Sequence, residues 1–406
     1  MTKFTRRVLL GSLAASPIAM PGIIRAQSTS KPIRIGLLSD MSGPYRDVGG
    51  PGNHVATELA IQDMGGSVLG RPVEILQADD QNKPDVAAAL ARQWCDEGVD
   101  VLADGAASSS GLAIQQIARE KKKIYLITGP AASDFTGKQC SPYGVQFSYD
   151  TYALAHGTGG ALTKAGGKTW FFITADYAFG YALERDTIAA VEAAGGKVLG
   201  KVRAPLGTAD FSSYLIQAKS SGAEVIGYAN AGTDLQNCIK QASEFGLASG
   251  NTKQATLLMQ ISDVNSIGQA TCAGLIYTDS FYWDMTPKTR AWSKRWAAKM
   301  GGMVPGLLHA GSYCAAYHWM KSVKAAGSTD SDAVVAKMKA TPVNDFYNTN
   351  VKIREDGRVM HVMYLWQVKP PSQAKYNYDF CARLATIPPA EAWRPLKDGG
   401  CPFVHA

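Results

Sequence analysis

Residues 31–44 read KPIRIGLLSDMSGP, and this stretch decides the fold. Ile33–Leu38 is a short apolar run interrupted by Arg34, the pattern of a strand covered on both faces. Ser39-Asp40-Met41-Ser42-Gly43-Pro44 then makes a polar turn over the strand's end. In open α/β sheets ligands sit just beyond the carboxyl ends of strands, so this turn is a candidate binding loop.

Upstream, Met1–Ala26 reads as an export signal. Lys3, Arg6 and Arg7 open it, Val8–Met20 is weakly apolar, and Arg25-Ala26-Gln27 resembles a signal-peptidase site. Thr5-Arg6-Arg7-Val8-Leu9-Leu10 is similar to a twin-arginine motif, although Leu9 replaces the usual Phe and Gly11 the usual Lys. A Sec signal with two arginines is the alternative. No cysteine follows the apolar region, which argues against a lipid anchor, and no later stretch approaches the roughly 20 apolar residues of a membrane span. The mature protein is expected in a bacterial periplasm.

The net charge of +7 falls to +3 once Lys3, Arg6, Arg7 and Arg25 leave with no acid, too mild to indicate nucleic acid. The remaining length, about 380 residues, exceeds one ordinary core and predicts two lobes. Seven cysteines in an oxidising compartment leave at least one unpaired. Cys140 and Cys401 each sit in a loop beside proline and form the first candidate pair; Cys238 with Cys272 is the second. No cysteine or histidine spacing suits zinc, so neither metal nor cofactor is expected.

Downstream, strand-length apolar runs alternate with helical patterns. The runs are Val73–Ala78, Val99–Ala103, Ile124–Ile127, Trp170–Thr174, Val198–Val202, Val225–Tyr228 and Ala255–Ile261. Pro84–Gly98 has proline in the first turn and glycine at the end, as helices prefer. Repeated βα units predict an α/β fold with mostly parallel sheets. The rhythm breaks at residues 129–152 and again near Tyr277–Trp283, which are read as crossings between lobes, and a last β segment, Val351–Val368, follows three helices.

This order resembles the type I periplasmic binding fold of the leucine-binding family, most strongly at Ile33–Pro44, Leu69–Asp80, Val99–Thr136 and Asp176–Leu183. The resemblance implies two Rossmann-like lobes with parallel sheets joined by a three-strand hinge. The expected division is 32–147 with 282–345 as lobe I, 148–281 with 346–382 as lobe II, and 383–406 as a C-terminal tail. It also implies a monomer that serves an inner-membrane ABC permease.

The family holds a ligand carboxylate on the loop and helix after the third strand, here Ser108, Ser109 and Ser110. Independently, three hydroxyls at the head of a helical pattern suit an anion or a simple N-cap. The next family element carries Ala131 and Ala132 where amino-acid binders have a hydroxyl. In the second lobe Tyr177 or Phe179 would cover the ligand, and Asn230 and Asp263 follow later strands. Asp263 suits an ammonium or a helix cap equally. Tyr45 and Arg46 follow the first strand, and Arg46 can pair a carboxylate or only a neighbouring acid. With Phe281, Tyr282 and Trp283 as further aromatic candidates, the lining favours a small aromatic carboxylate over a branched-chain amino acid.

Other classes fit less well. Gly49-Gly50-Pro51-Gly52 departs from a dinucleotide fingerprint, and no P-loop, HExxH or GxSxG is present. An enzyme is therefore not expected. A ligand-sensing receptor that docks on a separate sensor remains the alternative to transport.

Overall fold

The computed structural model describes residues 31–247 and 252–404; the expected signal, Met1–Ala26, lies outside them. Three sheets organise the chain. The first contains β1 (Ile33–Ser39), β2 (Ser67–Val68), β3 (Arg71–Asp79), β4 (Val101–Asp104), β5 (Ile124–Ile127) and β6 (Gly144–Gln146), in the order β2-β3-β1-β4-β5-β6. All its pairs are parallel except β2 with β3. The second contains β7 (Thr169–Ala175), β8 (Lys197–Ala204), β9 (Val225–Ala229) and β10 (Lys253–Thr256), all parallel, in the order β10-β9-β7-β8. The third is antiparallel and joins β11 (Ile276–Asp279), β12 (Met363–Val368) and β13 (Cys381–Ile387). It fits the hinge expected between two Rossmann-like sheets.

β1 lies between β3 and β4, and Ile33, Ile35, Leu37 and Leu38 are all buried, as the opening apolar run requires. The chain leaves β1 to build β3 on one side, then crosses to build β4 on the other, so β1 and β4 flank a switch point. β7 plays the same part in the second sheet, with β8 on one side and β9 on the other. Ligand crevices form at such points because the following loops part there.

Helix Pro84–Asp96 starts on its proline and stops before Gly98, whose φ of +82° suits glycine. Helix Ser108–Glu120 buries Ile114, Ile117 and Ala118 on one face. Helices Pro287–Lys299, Leu307–Ala326 and Ser331–Ala340 return to the first sheet, where Trp292, Trp296, Trp319, Val334 and Met338 share a core with Ile33, Ile35 and Val101.

Three expectations shift. The run Ala255–Ile261 is a strand only to Thr256; Leu257, Leu258 and Met259 stay buried in a loop, and a helix begins at Ile261. The segment 351–368 carries bridges Val343–Val351 and Ile353–Val359 before β12, and Gln146 bridges Arg358, so residues 343–359 pack with the first sheet. The supposed tail begins within β13, because residues 383–387 pair with β12. We propose the lobe division on this packing, with 346–359 in the first lobe.

Arg358 pins the crossing segment. It is fully buried, donates to the carbonyl of Tyr149 at 2.7 Å, lies 3.7 Å from Asp150 and stacks 4.3 Å from the Trp393 ring centre. Cys140 and Cys401 are joined, with Cα atoms 5.6 Å apart, tying the end of the chain to the first sheet. Cys238 and Cys272 do not pair. Each is a buried free thiol packed as a small apolar side chain in the same core cluster.

Candidate functional site

A cavity lies where the carboxyl ends of the two parallel sheets face each other. The carboxyl ends of β1, β4 and β5 and the segments that follow them supply Tyr45, Gly49, Asp104, Ser108, Gly129 and Ala131. Loops after β7, β9 and β10 supply Tyr177, Phe179, Gly232, Leu258, Gln260 and Asp263. Tyr149 and Leu308 complete the wall. Both switch points therefore open into one space.

Ser108 is buried at the head of its helix, and its Oγ accepts the N–H groups of Ala131 and Ala132 at 3.1 Å each. With both lone pairs engaged, its hydroxyl can act only as a donor to a further group. Ser109 is half-buried and Ser110 buried, and neither lines the cavity. Successive residues point about 100° apart on a helix, so three serines in a row cannot share one face. Ala131 lines the cavity; Ala132 does not, and serves through its N–H.

Asp104 is the residue the sequence reading missed. It ends β4 with φ +70°, a region that aspartate tolerates better than most residues. Its carboxylate accepts from Ser39 Oγ at 2.5 Å, Asn53 Nδ2 at 2.8 Å and Thr128 Oγ1 at 3.3 Å. One buried group thus joins β1, the helix after it, β4 and the loop after β5. Burial pushes its carboxyl up, against those hydrogen bonds. Its signal in sequence was the Asp-Gly pair at Asp104-Gly105, directly after an apolar run.

The opposite wall closes on the first by direct contacts. The Tyr45 and Tyr177 hydroxyls are 2.5 Å apart, and Thr233 N–H donates to the carbonyl of Pro44 at 3.1 Å. Burial raises the pKa of both phenols, so they remain neutral. Phe179 packs 5.9 Å from Tyr177, centre to centre. Away from the cavity, Ser133 Oγ donates to Asp186 at 2.7 Å and Arg185 pairs with Asp134 at 3.1 Å.

Asp263 reaches the cavity, but its oxygens already accept from Gln236 Nε2 and from the N–H of Gln260, at 2.9 Å each. Burial pushes its carboxyl up to about 6. It is therefore both a helix cap and a wall. Gln260, which opens the same candidate stretch as Asp263, lines the cavity while 2% exposed.

Several expected residues lie elsewhere. Arg46 stays half-exposed, pairs with Asp47 at 2.6 Å, and lines a separate cleft with Trp296 and Met300, because its side chain leaves the loop on the outer side. Asn230 is buried behind the loop whose Ala231 and Gly232 face the cavity. Phe281 is held in the first core by Trp292 and Phe346, and Tyr282 and Trp283 both donate to the carbonyl of Tyr378. Among the described residues no cluster of three metal-ligating side chains occurs, and no helix is long and apolar enough to cross a membrane.

The periplasmic binding protein family matches residues 32–375. A periplasmic binding protein from Burkholderia mallei superposes with a TM-score of 0.90 at 48% identity, covering 92% of this chain and 99% of that one. A branched chain amino acid ABC transporter periplasmic ligand-binding protein from Burkholderia xenovorans gives 0.81 at 40% identity, covering 91% and 99%. A Leu/Ile/Val-binding protein homolog 6 of Brucella melitensis is 26% identical over 262 residues, 63% of this chain and 66% of that protein.

Proposed function

The chain belongs to the periplasmic binding protein family, as a type I member of the leucine-binding kind, and on that premise we propose that it captures a small carboxylate for an ABC importer. The observation that carries this reading is the division of the cavity wall. Ser108 and Ala131 come from one sheet, Tyr177 and Gln260 from the other, so a ligand touches both only when they close together. A ligand that favours one state shifts the population toward it by its differential affinity. The closed form is what an inner-membrane permease would recognise, with ATP used there.

The carboxylate sits at Ser108, held by the free hydroxyl proton and the head of helix Ser108–Glu120. Charge-assisted bonds of this kind contribute about 1.5–3 kcal/mol each. The body lies among Tyr149, Tyr177, Phe179, Leu258 and Leu308, which suits a flat apolar group. Asp104 and Asp263 are already hydrogen-bonded to protein donors, which favours an aromatic acid over a solute with an ammonium group. A branched-chain amino acid is the second reading, favoured by the position of Asp263 in the wall and by the branched-chain amino acid and Leu/Ile/Val binding for which the Burkholderia xenovorans and Brucella melitensis relatives are named.

The test is calorimetry on purified protein, residues 27–406, with benzoate-like acids and with leucine or valine. Tight binding of the aromatic acids supports the first reading. Tight binding of leucine with no response to aromatic acids overturns it.

A further inference from the structure

The polar side chains around the cavity differ in how they are satisfied. Tyr149 donates to the carbonyl of Gly129 at 2.8 Å, the two hydroxyls of Tyr45 and Tyr177 hold each other, and both acids have protein donors. Gln260 is the exception among the described residues of the lining. Its main chain caps the next helix, with its N–H on Asp263 and its carbonyl accepting from Asp263 and Val264. Its side chain does none of this: the amide oxygen is buried without a hydrogen-bond partner. A buried amide left unpaired is costly, and such groups in native proteins usually mark a missing partner. Room for it is kept by Gly306, where an added Cβ would lie 2.7 Å from Gln260 Oε1.

We infer that Gln260 reads a second polar group on the solute, a hydroxyl, at the end away from the carboxylate. This rests on the capture reading above and narrows its solute class to hydroxylated carboxylates. A primary amide offers a donor and an acceptor, and a hydroxyl is both in return. Ser108 stands on the first-sheet wall and Gln260 on the second, so a two-ended solute would be held by one polar contact from each. Leu258 and Leu308 share the lining with Gln260, so a solute that lacks the hydroxyl would leave the amide among apolar groups. Sites built to hydrogen-bond a hydroxyl reject analogues without one far more strongly than apolar pockets reject an extra methylene.

The experiment compares matched pairs that differ in one hydroxyl: benzoate with 3- and 4-hydroxybenzoate, and valine with its near-isostere threonine. Calorimetry is run on the wild-type protein, Gln260→Leu and the better shape match Gln260→Met. The expected result is a preference of at least about tenfold for a hydroxylated member in the wild type, lost in both variants. Equal affinities across a pair that binds overturn the inference and leave the solute reading standing, as does a preference that survives both substitutions. If only the amino acids bind and threonine leads, the aromatic reading falls and Gln260 keeps its role. If neither pair binds, both readings fall together.

Discussion

On the first-sheet wall of the cavity the acceptors are held by protein donors: Ser108 Oγ takes two backbone N–H groups and Asp104 three side-chain donors from as many segments. On the second-sheet wall, Gln260 has an unpaired amide oxygen and Asp263 holds its proton more tightly than an exposed aspartate. The first wall is pre-organised and shaped before any ligand arrives. The second is left to be completed by the solute. On the proposed function, a rigid anchor and an unfinished reader would be a consistent division of labour between gripping and discriminating.

The comparison breaks hardest at Asp104. Asp104→Ala strands the buried donors of Ser39, Asn53 and Thr128 and places alanine at φ +70°. Urea unfolding should show a loss of about 3–5 kcal/mol; a loss below 1 kcal/mol would mean that the first wall is not held by this hub. Gly232→Ala acts on closure instead. Its Cβ would lie 2.4 Å from the Pro44 carbonyl across the cleft, at φ +57°. Ligand affinity should fall by about 10- to 100-fold, while small-angle scattering shows a more open form and far-UV dichroism is unchanged.

Ser108→Ala removes the proposed ligand donor and an acceptor for two N–H groups. Affinity should drop about tenfold or more by calorimetry, and Ser109→Ala should not change it. On the second wall, Asp263 titrates near 6 against an ordinary 3.8. Its folded-state pKa is raised, so its contribution to stability is present below about pH 4 and lost as pH rises through about 6. Asp263→Asn should flatten that slope in a series of thermal melts. A carboxylate without an ammonium should bind more tightly as pH falls from 7 to 5, by up to about tenfold per unit. An amino acid paired with Asp263 should bind more weakly over the same range. The smallest effect is expected at Arg46→Ala, within about twofold, because its partner is an exposed neighbour outside the cavity.

Much of the architecture was legible in one dimension. A strand buried on both faces, a helix opened by Pro84 and stopped by Gly98, and loops placed after strand ends all follow from local periodicity. The resemblance to the leucine-binding family, together with the loops after strand ends, implied Tyr45, Ser108, Ala131, Tyr177, Phe179 and Asp263, and all six line the cavity. Cys140 and Cys401 could be proposed from their loops, although only the fold brings two residues 261 positions apart together.

Which neighbour in each loop faces the ligand was decided in three dimensions. Arg46 and Tyr45 are adjacent, yet one points to solvent and the other into the cavity. Ser108 and Ser109 diverge by the helical turn. Asp104 gains its part only because Ser39, Asn53 and Thr128 converge on it from distant segments, and Gln260 stands out only because nothing in the folded protein satisfies its amide. Local sequence determines the path of the backbone because propensity and periodicity act over a few residues. The satisfaction of a buried polar group is a property of everything packed around it, and that exists only once the chain has folded.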